Sequence, residues 1–245
     1  MIFECRSAGG WGRAHCARRL LASLAMLALL VGACATVSGV DRAASNADLA
    51  ATHNRRGDTL FIEGEFAAAI VEYREAIRLD PNLAMAHANL GSALAQQGEL
   101  ESALAEFREA TRLEPTNAVL WLHLGKLHDR MGRGEDALHS LERGLEANPG
   151  DAGILNQIGW FYATVEPSTL RDPAKALDYA QRAVAASEGR DANVLDTLAE
   201  AHYANRDFDA AIEAEQKALE LAPDVEAFRN RLQKFREAKA AESAR

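Results

Sequence analysis

Residues Ala84–Asn117 and Ala118–Asp151 carry one pattern twice, without a gap. Gly91 aligns with Gly125, Leu90 with Leu124, Gly98 with Gly132, Ala103 with Ala137, Phe107 with Leu141 and Pro115 with Pro149, each pair 34 residues apart. A fixed period of this length limits the chain severely. A unit this short cannot bury its apolar face alone, so neighbouring units must stack. The expected product is an all-α solenoid of helical hairpins.

Composition agrees with helices and narrows the partners. Hydrophobic residues make up 48% of the chain but aromatics only 6%, so much of the apolar surface is alanine, the best helix former. The formal net charge is −9, and the first 33 residues contribute four arginines against one glutamate, so the remainder is more acidic still. An acidic body lacks the basic footprint that nucleic acid requires. It is equally unsuited to lying on anionic lipid. Cys5, Cys16 and Cys34 all precede the repeats, which leaves the repeats without a disulfide framework or a zinc site.

The pattern extends in both directions. A first unit over about 50–83 supplies Gly57, Ala69, Tyr73, Ala76 and Pro81, with Gly64 between its two halves. Trp121 and Gly144 complete the unit at 118–151. A fourth unit starts in register at Ala152 with Leu155, Ile158, Gly159 and Tyr162, then slips. Ala176 and Ala183 match only if about five residues are inserted within Thr164–Pro173, where Asp172-Pro173 reads as an N-cap followed by proline at N1. Gly189 is expected to end that unit in place of the usual proline. The fifth unit, 192–223, recovers the register but places Arg206 in its turn and Glu215 at its large apolar position. A helix capped by Asp224 follows, with Phe228, Leu232 and Phe235 as its apolar stripe. Glu226, Arg229, Lys234, Arg236 and Glu237 form its solvating face, and the tail is expected to fray after Lys239.

These residues resemble the tetratricopeptide repeat, with small residues at positions 8, 20 and 27, a large apolar residue at 24 and proline at 32. The resemblance covers about Ala50–Arg245. It implies a right-handed solenoid of about five hairpins plus a C-terminal capping helix. It also implies that the first helix of each unit lines a concave groove. Carried over position by position, that groove shows Asn54, Asp58 and Phe61; Met85, Asn89 and Gln96; Leu122, His123, Lys126, Asp129 and Arg130; Asn156, Gln157 and Trp160; and Asn193, Asp196, Glu200 and Tyr203. Amides of Asn54, Asn89 and Asn156 suit the backbone of an extended peptide. Met85, Leu122, Trp160 and Tyr203 offer apolar anchors. Lys126 and Arg130, one turn apart, suit a carboxylate. Where the best-known clamp of the family grips a C-terminal carboxylate, this chain has Asn54, Asp58, Asn89, Val119 and His123, with no lysine or arginine. A chaperone-tail clamp of that type is therefore not expected.

Residues 1–33 read as an export signal: Arg13, Arg18 and Arg19 lead, and Leu20–Val31 is an apolar run broken only by Ser23. The run is too short to span a bilayer, which takes ~20 residues. Val31-Gly32-Ala33-Cys34 resembles the bacterial lipobox, which implies cleavage before Cys34 and lipid on its sulfur. Two other readings compete: an ordinary secretory signal cut after small residues, and an uncleaved anchor over Leu20–Val37, which Gly32 and Thr36 weaken. Ala35 stands where lipoproteins of the inner membrane often carry aspartate, so the expected site is the outer membrane, with residues 34–49 as a tether.

No phosphate-binding glycine loop, nucleophile elbow or H-E-x-x-H is present. His123 and His128 are five apart and do not share a helix face. The expectation is a non-enzymatic scaffold that binds protein or peptide partners, without cofactor, metal or nucleic acid. Known lipid-anchored proteins of this build include pilus pilotins, outer-membrane assembly subunits and adaptors of cell-wall hydrolases. A second expectation is a carrier or sensor of a small ligand such as a glycan, near Trp160 and Tyr203.

Overall fold

The computed structural model describes residues 45–165 and 170–244, and among them every regular element but a single 3₁₀ residue is α-helix. Helix α1 covers residues 45–62. Then follow α2 (Phe66–Leu79), α3 (Ala84–Gln96), α4 (Leu100–Leu113), α5 (Ala118–Arg130), α6 (Gly134–Ala147), α7 (Ala152–Thr164), α8 (Pro173–Ala186), α9 (Ala192–Ala204), α10 (Phe208–Leu221) and α11 (Glu226–Ser243). Within units α3 pairs with α4, α5 with α6, α7 with α8 and α9 with α10, and each hairpin packs on the next. The export signal and Cys34 lie outside the described residues.

A steric rule repeats inside each hairpin. Position 8 of the first helix faces position 24 of the second. A Cβ on Gly57 would lie 2.4 Å from the Tyr73 ring, one on Gly91 3.2 Å from Phe107, and one on Gly125 2.7 Å from Leu141. In the fourth unit the partner is Ala180, so Gly159 closes on backbone instead: a Cβ there would meet the Ala180 nitrogen at 3.1 Å. In the fifth, the equivalent positions hold Ala199 and the fully buried Glu215.

The turns repeat as well. The amides of Glu65, Glu99, Arg133 and Asp207 each donate back to the carbonyls of Leu60, Leu94, His128 and His202, at 2.9–3.0 Å. This six-to-one bond needs a left-handed residue just before it. Gly64, Gly98 and Gly132 supply it, and Arg206 adopts the same conformation with φ of 64°. Between units, position 4 ties hairpins together. His87 Nε2 donates to the Pro81 carbonyl at 3.1 Å and Trp121 Nε1 to the Pro115 carbonyl at 2.8 Å. The Glu106 carboxylate, 2.7 Å from His87 Nδ1, pulls that imidazole above its ordinary pKa.

The fourth unit departs as its sequence implies. Asp172 caps α8 by accepting from the Lys175 amide at 3.0 Å, with Pro173 at the start of the helix. A further residue enters the turn after α8, where Glu188 and Gly189 both have positive φ.

Three expectations at the ends need correction. Residues 45–49, inside the stretch read as a tether, are already part of helix α1. Asp224 does not cap α11: Val225 is the N-cap, without a side-chain bond, because the helix starts one residue too late for Asp224 to reach it. The tail does not fray at Lys239. Helix α11 continues to Ser243, held by Lys239 against Asp209 and by Glu242, which accepts from Arg206 at 2.7 Å. Phe228, Leu232 and Phe235 are buried, as the stripe requires.

Candidate functional site

The first helices α1, α3 and α5 bring one cavity of about 420 Å³ together. Its floor is apolar, from Phe61, Phe107 and Leu127, and Ile62 stands at its rim, 85% exposed. Tyr73 and Phe107 reach it because position 24 passes between adjacent first helices.

One wall is a polar network already complete in itself. Asp58 accepts from Tyr73 Oη at 3.0 Å, from Asn89 Nδ2 at 2.8 Å and from Asn54 Nδ2 at 3.4 Å. Asn89 Nδ2 also reaches Asn54 Oδ1 at 3.2 Å. Burial and the bond to Asp58 raise the Tyr73 phenol above its ordinary pKa. The amides of Asn54 and Asn89 thus hold Asp58, which leaves them less free for a peptide backbone than the sequence implied.

The opposite wall is cationic. His123, Lys126 and Arg130 line the cavity from α5. His123 is exposed at its edge but flanked by protein, and its ring stacks on Phe107 at 5.8 Å. Desolvation by that surrounding mass, with Lys126 adding to it, lowers the imidazole pKa, so the ring is neutral near pH 7. Among the described residues, neither Lys126 nor Arg130 has an ion-pair partner. Asp58, Phe61, Asn89, Gln96, His123, Lys126 and Arg130 therefore converge as the positional reading placed them. Ile62, Tyr73, Ser92, Ala95, Phe107 and Leu127 also line it and were missed as groove residues. Ile62 occupies a groove position, which was the available signal; Leu127 gave none, since its position reads as core.

Other expected groove residues are elsewhere. Met85 is 40% exposed and stands outside the cavity. Leu122 packs toward Gly153 at the start of α7, with the second core cluster. Asn156, Trp160 and Tyr203 belong to the C-terminal half of the groove, where α11 intrudes. Arg231 lies over the Trp160 ring at 5.0 Å, and its Nη1 donates to both carboxylate oxygens of Asp196. Lys234 lies over the Tyr203 ring at 4.3 Å and donates to Glu200 at 3.0 Å. Lys234 was read as part of a solvated face; it turns inward because α11 docks where the first helix of a sixth unit would. Among the described residues no group of three histidine, cysteine or acidic side chains is arranged to hold a metal, and no helix is long and apolar enough to cross a membrane.

Family comparison agrees with this geometry. Models described as TPR repeat or tetratricopeptide repeat match residues 57–98, 94–156 and 168–226. The chain is a tetratricopeptide-repeat solenoid. Similar folds occur in the Cut9–Hcn1 assembly of the APC/C, with a TM-score of 0.69 and 20% identity over 78% of this chain. This chain spans only 37% of that one. Pseudomonas aeruginosa PilF matches with a TM-score of 0.67 and 20% identity, over 82% of this chain and 90% of PilF. YrrB, a TPR protein with an unusual peptide-binding site, matches with a TM-score of 0.54 and 21% identity, over 74% of this chain and 90% of YrrB. At such identities the likeness is one of fold. A comparison with curated proteins gives no match to the sequence.

Proposed function

We propose that this tetratricopeptide-repeat chain is a non-enzymatic scaffold that holds a peptide or helix of a partner protein in the groove of its first three units. The observation that carries the reading is the cavity between α1, α3 and α5, with an apolar floor and, on one wall, Lys126 and Arg130, which have no ion-pair partner among the described residues. An apolar side chain fits the floor while a neighbouring carboxylate meets the cations. Arginine beside lysine suits this task, since the guanidinium forks onto a carboxylate and the ammonium adds a point charge. The self-satisfied Asp58 network presents a rigid far wall, which lowers the ordering cost of binding. YrrB, described as a TPR protein with an unusual peptide-binding site, shares the fold, which is consistent with this use.

The test is a peptide-display selection on the full chain, counter-selected on Lys126→Glu/Arg130→Glu. Recovered peptides are expected to place Asp or Glu beside a large apolar residue. They are expected to lose affinity at least about tenfold on the variant, the loss of roughly one desolvated charge contact. Peptides without acidic residues, or with equal affinity for both chains, would refute the reading.

The lipobox-like Val31-Gly32-Ala33-Cys34 supports a second element of the proposal: lipid on Cys34 holds the scaffold at the periplasmic face of the bacterial envelope, at the outer membrane. Stable anchoring takes more than one acyl chain, as lipidation of both the sulfur and the new amino terminus supplies. Cys34→Ser is expected to move the protein from the membrane to the soluble fraction; unchanged retention would count against the anchor.

A further inference from the structure

The C-terminal half of the groove has the opposite electrostatic character. Asp196 and Glu200 stand one turn apart on α9 and are 6% and 7% exposed. The faces of Trp160 and Tyr203 flank them. Neither α7 nor α9 carries a lysine or arginine. Arg231 and Lys234, both from α11, meet these carboxylates, with Arg231 Nε also 3.7 Å from Glu200. Two cavities, about 280 and 460 Å³, adjoin the Trp160 ring. Asn156 lines the smaller one, and its buried Oδ1 lacks a hydrogen-bond partner.

Paired carboxylates beside aromatic faces, with a spare carbonyl acceptor, are the complement of a guanidinium or ammonium group. The chain itself shows the fit, since Arg231 meets Asp196 through Nη1, approaches Glu200 through Nε and lies over the Trp160 ring at once.

We infer that units four and five form a second binding site, for an arginine- or lysine-bearing peptide segment, which α11 fills in cis with Arg231 and Lys234. Carboxylates this buried do not release a cation to leave an empty site, because an uncompensated buried charge is costly. The exchange is cation for cation. A basic segment enters by replacing Arg231 and Lys234, while neutral and acidic segments are turned away. This site is independent of the one on the first three units, which favours the opposite charge.

The experiment uses the full chain and a fluorescein-labelled hexa-arginine peptide. Salt is held at about 0.15 M, where attraction beyond ~8 Å is screened, so that the acidic body contributes little. Arg231→Ala/Lys234→Ala is expected to bind the peptide at least about tenfold more tightly than the unaltered chain. Adding Asp196→Asn/Glu200→Gln is expected to return binding to the starting level. Lys234→Ala alone, at a side chain 48% exposed, keeps the Arg231–Asp196 pair and is expected to give a smaller gain. Circular dichroism confirms which variants keep their helices. If the double variant does not fold, Lys234→Ala decides. A folded variant that binds no more tightly than the unaltered chain overturns the inference, as does a gain that survives neutralisation of the two acids.

Discussion

Glu215→Gln is expected to stabilise the fold by about 1–3 kcal/mol at pH 8 and to change it little at pH 5. Glu215 is fully buried in α10, where the first three units place Tyr73, Phe107 or Leu141. Neither of its oxygens has a donor to accept from. Burial, with the Asp196 charge adding to it, pushes its carboxyl from an ordinary 4.5 to about 8. The folded state therefore holds a proton that the unfolded state gives up. The group's favourable contribution is complete below about pH 4.5 and is lost as pH rises through about 8. Protonated, Glu215 can donate to Asp196; ionised, it only repels it. Glutamine keeps the shape and donates at every pH. Guanidinium unfolding at pH 5 and pH 8 checks this, and a gain that does not grow with pH would refute it. Leucine is the wrong replacement despite the repeat pattern. Gly125 makes room for Leu141, whereas the equivalent position of the fifth unit is Ala199, which already carries a Cβ.

Gly57→Ala tests the same contact at the other end of the array. On helix propensity alone the change gains about 1 kcal/mol. The added Cβ, however, would sit 2.4 Å from the ring of Tyr73, which is 1% exposed and fixed through its hydroxyl to Asp58. The ring cannot swing aside without giving up that hydroxyl bond, so the net result is expected to be a loss of about 1–3 kcal/mol. In a Tyr73→Ala background the ring is gone, and Gly57→Ala is expected to be neutral or stabilising by up to about 1 kcal/mol. That reversal, measured as a double-mutant cycle by thermal unfolding, separates steric conflict from any other cost of replacing the glycine. An equal loss in both backgrounds would place the cost elsewhere.

What the sequence disclosed, and what it withheld, follows from the range of the interactions. Gly57, Gly91, Gly125 and Gly159 mark helix crossings within one hairpin, so a 34-residue period exposes them. Gly98 and Gly132 mark left-handed turns for the same local reason, and the period also flagged Arg206 and Glu215 as departures. The convergence of Asp58, Asn89, Lys126 and Arg130 was legible because groove positions recur once per unit. The inward turn of Arg231 and Lys234 was not. It depends on how a helix outside the period docks on α9, and nothing local to 224–245 states that. The hydrogen bonds by which Asn89 ties to Asp58 and Asn54 were hidden too, since they join different units.

The irregular fourth hairpin has a consequence for how the array assembles. Units two and three are nearly interchangeable in outline, and such tandem segments can pair out of order while folding. The fourth cannot join that confusion. Gly159 lies against the backbone of α8 with only Ala180 opposite, so α8 placed against α5 would leave the volume of Leu141 empty. Conversely, α6 placed against α7 would drive Leu141 into space that backbone occupies. The unit that breaks the pattern thereby serves as a punctuation mark, fixing which hairpin is last before the acidic end of the array.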